Sequence, residues 1–163
     1  MTTKEFKSEL AGLVLNFKRF AKQAKAIAAT TAIELFKENF QDEGFFGRKW
    51  KQVQRRIPGT KSYRYPPKGW KKKQGAWHNS KILTLSTNLG RSLSKRYVDD
   101  GVIVFSNLPS NNDYSAAHNE GTTRAGKRHN IRIPRRQFLG KHKKLEEGVT
   151  AALQKELDKI IKK

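Results

Sequence analysis

The N-terminal segment sets the strongest limit on the fold. Phe6, Leu10, Leu13, Phe17, Phe20, Ala24 and Ile27 recur three and four residues apart. That spacing lines them along one stripe of an α-helix, with lysines on the opposite side. The pattern continues through Leu35 and Phe36 to Phe40, and Thr2 with Glu5 has the form of a capping box at its start. A second such pair, Thr31 and Glu34, leaves two arrangements open: one long helix, or two in succession. Either should end by Gly44. At the other terminus Leu145, Val149, Leu153, Leu157 and Ile160 share a face, which predicts an amphipathic helix. Glu146 and Glu147 fall at its start, where carboxylates meet the positive end of the helix dipole.

Strand signals lie between these helices. Residues 92–98 and 102–106 read as two strands joined at Asp99-Asp100-Gly101, a turn whose Asp-Gly step supplies the backbone angles of a tight hairpin. Ile131 and Ile133 alternate with polar neighbours and mark a third strand, closed by Pro134. Ile82, Leu83, Leu85, Leu89 and Leu93 suggest a short helical turn with Thr87 as its cap, and a short helix is expected over 113–119, ending at Gly121. Terminal helices around a small antiparallel sheet make the fold class α+β. At 163 residues and 36% hydrophobic content, one domain over 1–163 is expected.

Residues 44–78 break the pattern. Gly44, Gly47, Pro58, Gly59, Pro66, Pro67, Gly69 and Gly75 punctuate a basic stretch that holds Tyr63, Tyr65 and all three tryptophans. No apolar period survives here, so the stretch reads as a long surface loop.

The net charge of +21 sets the partner class, attracting phosphate polymers and acidic protein surfaces without dictating a fold. No acidic residue occurs between Gly44 and Val98, or between Gly121 and Lys144. Arg55, Arg56, Arg64, Lys71, Lys72 and Lys73 in the first stretch, and Arg135 and Arg136 in the second, are the candidate contacts to DNA or an acidic partner. Tyr63-Arg64-Tyr65 and Trp70-Lys71-Lys72-Lys73 combine cations with rings that can stack on bases. Two further readings share that composition: a solvated loop whose aromatics tuck against the sheet, or protein assembly, with basic loops clasping an acidic neighbour and the aromatics as anchors.

Catalytic and metal readings find little support. There is no cysteine, no phosphate-binding glycine loop and no paired-carboxylate motif. His78-Asn79, His118-Asn119 and His129-Asn130 superficially resemble pieces of a His-Asn-His nuclease but lack its metal-binding pair and carboxylate partner. His118 is expected at a helix end with a local hydrogen bond. No cofactor, metal or catalytic residue is expected, and the chain does not read as an enzyme. No apolar run approaches the ~20 residues that cross a bilayer, and the charged N-terminus is unlike a secretory signal, so no membrane contact is expected.

Four segments, taken in order, carry a family resemblance. Phe40 to Trp50 reads FQDEGFFGRKW, a glycine-aromatic-tryptophan segment, and Lys81 to Leu93 reads KILTLSTNLGRSL. Val102 to Asn107 (VIVFSN) precedes Tyr114 to Gly121 (YSAAHNEG), and Ile133 to Gly140 reads IPRRQFLG. Together these resemble the phage virion morphogenesis family, the tail-completion proteins of Mu-like and related contractile-tailed phages. The departures are Asn88 where glycine is usual, Arg135 and Gln137 in place of alanine and proline, and a basic insertion at about 51–80. The resemblance implies a non-enzymatic structural protein of the virion, made in the host cytoplasm and placed in the neck or tail. It would act in tail completion or head–tail joining. Its implied partners are further copies of itself in a ring around the DNA channel, a hexamer by analogy, together with other neck or tail proteins and genomic DNA. It also gives jobs to residues. Phe45, Trp50, Phe138 and Leu139 would pack the sheet or a subunit seam, Gly121 and Gly140 would allow sharp reversals, and Arg135 and Arg136 would face an interface or the channel. The rival reading, a basic nucleic-acid-binding module without catalytic activity, accounts for the charge equally well but not for the ordered motifs.

Overall fold

The computed structural model describes residues 2–66, 74–83, 88–109, 114–126, 128–129 and 131–162. The fold is α+β. Its order is α1 (Thr3–Gln41), β1 (Gly44–Phe45), β2 (Arg48–Lys49), a 3-10 turn (Gln54–Arg56), α2 (Lys61–Arg64), α3 (Gln74–Asn79) and α4 (Asn88–Arg91). There follow β3 (Leu93–Val98), β4 (Gly101–Ser106), α5 (Ser115–Glu120), β5 (Thr122–Ala125), β6 (Ile131–Ile133) and α6 (Lys143–Ile161). The strands form three separate two-stranded ladders, β1-β2, β3-β4 and β5-β6.

Of the two arrangements left open for the N-terminus, the chain adopts the single helix. The capping box closes its start: the Thr2 N–H donates to Glu5 Oε2 at 2.6 Å and the Glu5 N–H to Thr2 Oγ1 at 3.3 Å. No break forms at Thr30 and Thr31, where alanines on both sides favour helix and Ala29 and Ala32 are buried. The helix ends when Glu43 turns into the left-handed region, at φ 50°.

Contacts group the chain into two compact units. The first comprises Met1–Leu35, Ser94–Phe105 and Lys141–Lys163. Within it Ala29 and Ala32 are buried, and α6 has no fully buried residue. Lys25 Nζ donates to the carbonyls of Val98 and Asp99, both at 2.7 Å, and so ties α1 to the end of the β3–β4 hairpin. Gly148 lets α6 approach α1 closely, since a Cβ there would meet Leu35 Cδ1 at 2.7 Å. The imidazole of His142 caps α6, Nδ1 accepting the Lys144 N–H at 3.2 Å.

The second unit, Phe36–Leu93 and Ser106–Gly140, has an aromatic core. The Phe40 ring lies 5.8 Å from Trp50 and 5.3 Å from Phe138, in edge-on and tilted contacts, and Phe36 meets Phe46 at 6.1 Å. Ile82, Leu89 and Leu93 complete it.

Residues 44–78 are not one long loop. They hold the β1–β2 hairpin, the 3-10 turn, α2 and α3. The hairpin turns through Phe46 (φ 48°) and Gly47 (φ 98°), two positive angles that suit a tight two-residue connection. Each element here spans two to six residues, too short for an apolar period to show. Polar side chains hold them in place. Thr60 accepts the Tyr63 N–H at 3.2 Å to cap α2, and its hydroxyl donates to Gln54 O at 2.6 Å. The expected cap Thr87 and the candidates Lys71, Lys72 and Lys73 lie outside the described residues.

Candidate functional site

Of the segments that carry the resemblance, residues 40–50, 81–93, 114–121 and 133–140 lie in the second unit, while 102–105 belong to the first. Asn119 Oδ1 accepts the N–H groups of both Phe138 and Leu139 at 3.0 Å, and the Arg136 N–H donates to His118 O at 2.7 Å. The Trp50 indole donates to Gln137 O at 2.7 Å, and Asn39 Oδ1 accepts the Phe46 N–H at 2.9 Å. Phe45, Trp50 and Phe138 are buried and Leu139 half-buried, so these packing candidates fill the core of this unit. Gly121 and Gly140 both take positive φ, 78° and 144°. At Gly121 a Cβ would sit 2.8 Å from Arg135 N, so only glycine admits that approach.

The basic candidates divide by what they touch. Arg56 forks onto Glu43, Nη1 to Oε2 and Nη2 to Oε1, both at 2.6 Å, with each side chain only 19% exposed. It donates further to the carbonyls of His78 and Ser80. Arg55 donates to Ser80 Oγ and to the carbonyls of Ser80 and Lys81, and its guanidinium lies 5.5 Å from the Trp77 ring centre. Both arginines therefore clamp the 3-10 turn to the end of α3. Arg136 is buried, with Nε donating to Lys51 O at 3.3 Å. Arg64 and Arg135 are exposed, and Arg135 donates to Gln137 Oε1 at 2.8 Å.

Beside the clamp lies an open groove of about 690 Å³ lined by Gln52, Arg56, Pro58, Tyr63, His78 and Asn79, with Gly75 at its edge. Tyr63 and His78 stack 4.0 Å apart and nearly parallel, so aromatic and cationic groups do converge here.

Glu43 is the residue that sequence reasoning passed over. Arg56's fork, helped by the Ile82 N–H at 2.8 Å, holds its carboxyl below the ordinary 4.5 against the opposing effect of burial. The same fork raises Arg56. Burial lowers Arg55 and Arg136, and for Arg55 the charges of Arg56 and Arg136 add to the effect. His118 is lowered by burial and then by the charge of Arg136. Its expected local hydrogen bond is missing at Nδ1, which is buried without a partner among the described residues. The signal for Glu43 was legible: it is the last acid before a run of more than fifty residues with none, and so the nearest counter-ion for that run's first arginines.

Charge follows the division into units. The second unit's segments carry 20 lysines and arginines against 5 acids, a net +15, which leaves +6 for the first. Among the described residues no cluster of His, Asp or Glu is placed to hold a metal ion, and no helix is long and apolar enough to cross a membrane. The sequence model of the phage virion morphogenesis family matches residues 3–158. Comparison with curated proteins and with solved structures returns no match.

Proposed function

The chain belongs to the phage virion morphogenesis family, and from that membership we propose that it is a structural subunit of a closed ring in the phage neck or tail, acting in tail completion or head–tail joining. By analogy with the family the ring is a hexamer. The observation that carries the assembly reading is the outer part of α1. Phe6, Leu10, Leu13 and Phe17 share one helical face and are 52%, 49%, 38% and 39% exposed. An apolar stripe of that length left in water marks a surface meant for a protein neighbour. In a cyclic ring the contact is head-to-tail, so this face meets a different face of the next copy. The net +15 of the second unit then serves passing DNA or an acidic neighbouring ring.

Light scattering of the nuclease-treated protein in high salt tests the stripe. The wild type forms a discrete oligomer near six subunits, and Leu10→Asp shifts the mass to monomer, since burying one charge in such a seam offsets several apolar side chains worth about 1.5–3 kcal/mol each. An oligomer of unchanged mass in Leu10→Asp refutes the assignment of this face. The nucleic-acid module is favoured instead by tight, structure-specific binding that survives in the monomer; a purely salt-sensitive affinity is common to both readings.

A further inference from the structure

Three of the expected contacts, Arg55, Arg56 and Arg136, are taken up inside the second unit. The β5–β6 hairpin of the same unit carries cations that are not. Arg124 on β5, Arg132 on β6 and Arg128 between the strands are all exposed, and none of them forms an ion pair among the described residues.

The register sets two of these charges against each other. Thr122 pairs with Ile133 and Ala125 with Ile131, so Thr123 and Arg124 together stand opposite Arg132, as at a β-bulge. Ile131 and Ile133 alternate with Arg132 onto the other face. At the tip the His129 N–H donates to Gly126 O at 3.0 Å, closing a four-residue turn that holds Arg128. The His129 ring fastens that turn to β5, with Nδ1 3.2 Å from Arg124 O. Like charges facing each other across a ladder destabilise it. The sequence supplies no relief, since no acid occurs from Gly121 to Lys144. Guanidiniums gathered on one ribbon at that cost are the complement of a row of anions.

We infer that the β5–β6 hairpin is a contact for the phosphate backbone of double-stranded DNA, with Arg124, Arg128 and Arg132 each meeting a phosphate. The inference rests on the reading of the chain as a subunit past which DNA moves. Two strands about 5 Å apart make a ribbon that the ~12 Å major groove admits, and a guanidinium fork matches phosphate oxygens. The composition selects the polyanion. Between Gly121 and Arg136 there is no Phe, Tyr or Trp. The hairpin therefore lacks the rings that stack on the bases of a single strand, and the aromatic anchors typical of a protein interface.

The test measures binding of the full chain to a short labelled duplex across a series of NaCl concentrations. The triple variant Arg124→Gln, Arg128→Gln, Arg132→Gln should flatten the log–log salt slope by about 2.7 for each hairpin engaged, at ~0.9 per phosphate contact. Arg48→Gln, Lys61→Gln, Arg64→Gln removes the same charge from exposed positions of the same unit and should change the slope by less than ~1. The thermal midpoint of the hairpin variant should equal or exceed that of the wild type, because the opposed guanidiniums are gone. If that variant does not fold, Arg128→Gln alone decides, by flattening the slope by about 0.9. The contact is overturned if the slope does not change, or if the control flattens it as much. It is also overturned if the hairpin variant loses affinity for a single-stranded DNA oligomer or for polyglutamate by as large a factor as for the duplex. Binding is read whether or not the chain closes a ring, so loss of the contact leaves the ring reading standing, and failure of the ring leaves the contact standing.

Discussion

Replacing Glu43 by glutamine keeps the shape of the side chain and removes its charge. In the wild type that carboxylate takes two bonds of 2.6 Å from Arg56 and one of 2.8 Å from the Ile82 N–H. An amide oxygen in the place of Oε1 can keep the bonds from Arg56 Nη2 and the Ile82 N–H, but the amide nitrogen then faces Arg56 Nη1, donor to donor, and Arg56 loses its counter-ion while Arg55 and Arg136 remain nearby. Breaking a buried pair by removing one partner costs about 3–5 kcal/mol, and with a fifth of each side chain exposed the lower end, ~3 kcal/mol, is expected here. At a urea dependence of about 1–3 kcal/mol per molar the midpoint should fall by roughly 1–3 M at pH 7. Tryptophan fluorescence is the assay, because all three tryptophans belong to the second unit. The pH dependence gives a second check. Glu43 has its pKa lowered in the folded state, so its contribution is complete above the unfolded value near 4.5 and is lost as pH falls through the depressed folded value. The gap between wild type and Glu43→Gln should therefore narrow on acidification below 4.5, and only there. A gap under ~0.5 kcal/mol at pH 7 would place the pair among those surface salt bridges that contribute little, and would refute the reasoning. So would a gap that does not change with acid.

Other substitutions in the second unit follow the same logic. Gly121→Ala forces a Cβ to 2.8 Å from Arg135 N at a φ of 78°, and should cost at least ~2 kcal/mol in the same urea assay; a neutral result would mean the reversal can relax. Asn119→Ala strands the N–H groups of Phe138 and Leu139 and should cost about 1–3 kcal/mol, with faster hydrogen exchange at those two amides as its signature. Phe138→Ala empties a fully buried position against Phe40 and should cost ~3–5 kcal/mol, read as a lowered thermal midpoint.

Periodicity made the two terminal helices legible, because each repeats its apolar spacing over several turns. The β3–β4 turn was legible from Asp100-Gly101. By contrast β5, Thr122–Ala125, carries no apolar alternation and is defined by its pairing with β6, where Thr122 faces Ile133 and Ala125 faces Ile131 across an irregularity. The helices α2 and α3 are held by a few side-chain hydrogen bonds from Thr60, Arg55 and Arg56, which composition does not encode. The stripe from Phe6 to Phe17 was visible as a face, but spacing cannot say whether a face is covered. The basic candidates show the same gap. Charge counting treats Arg55, Arg56, Arg64 and Arg136 alike, whereas geometry makes two of them clamps, exposes Arg64 and buries Arg136.

Quantitative mass spectrometry of purified particles reaches the central claim most directly. A structural ring subunit is present in every mature particle at a fixed small copy number, six or a multiple of it for a hexameric ring, and remains after nuclease and high-salt washing. Particles that mature and infect normally while containing none of the chain, or containing an amount that falls to zero on washing, would contradict the account.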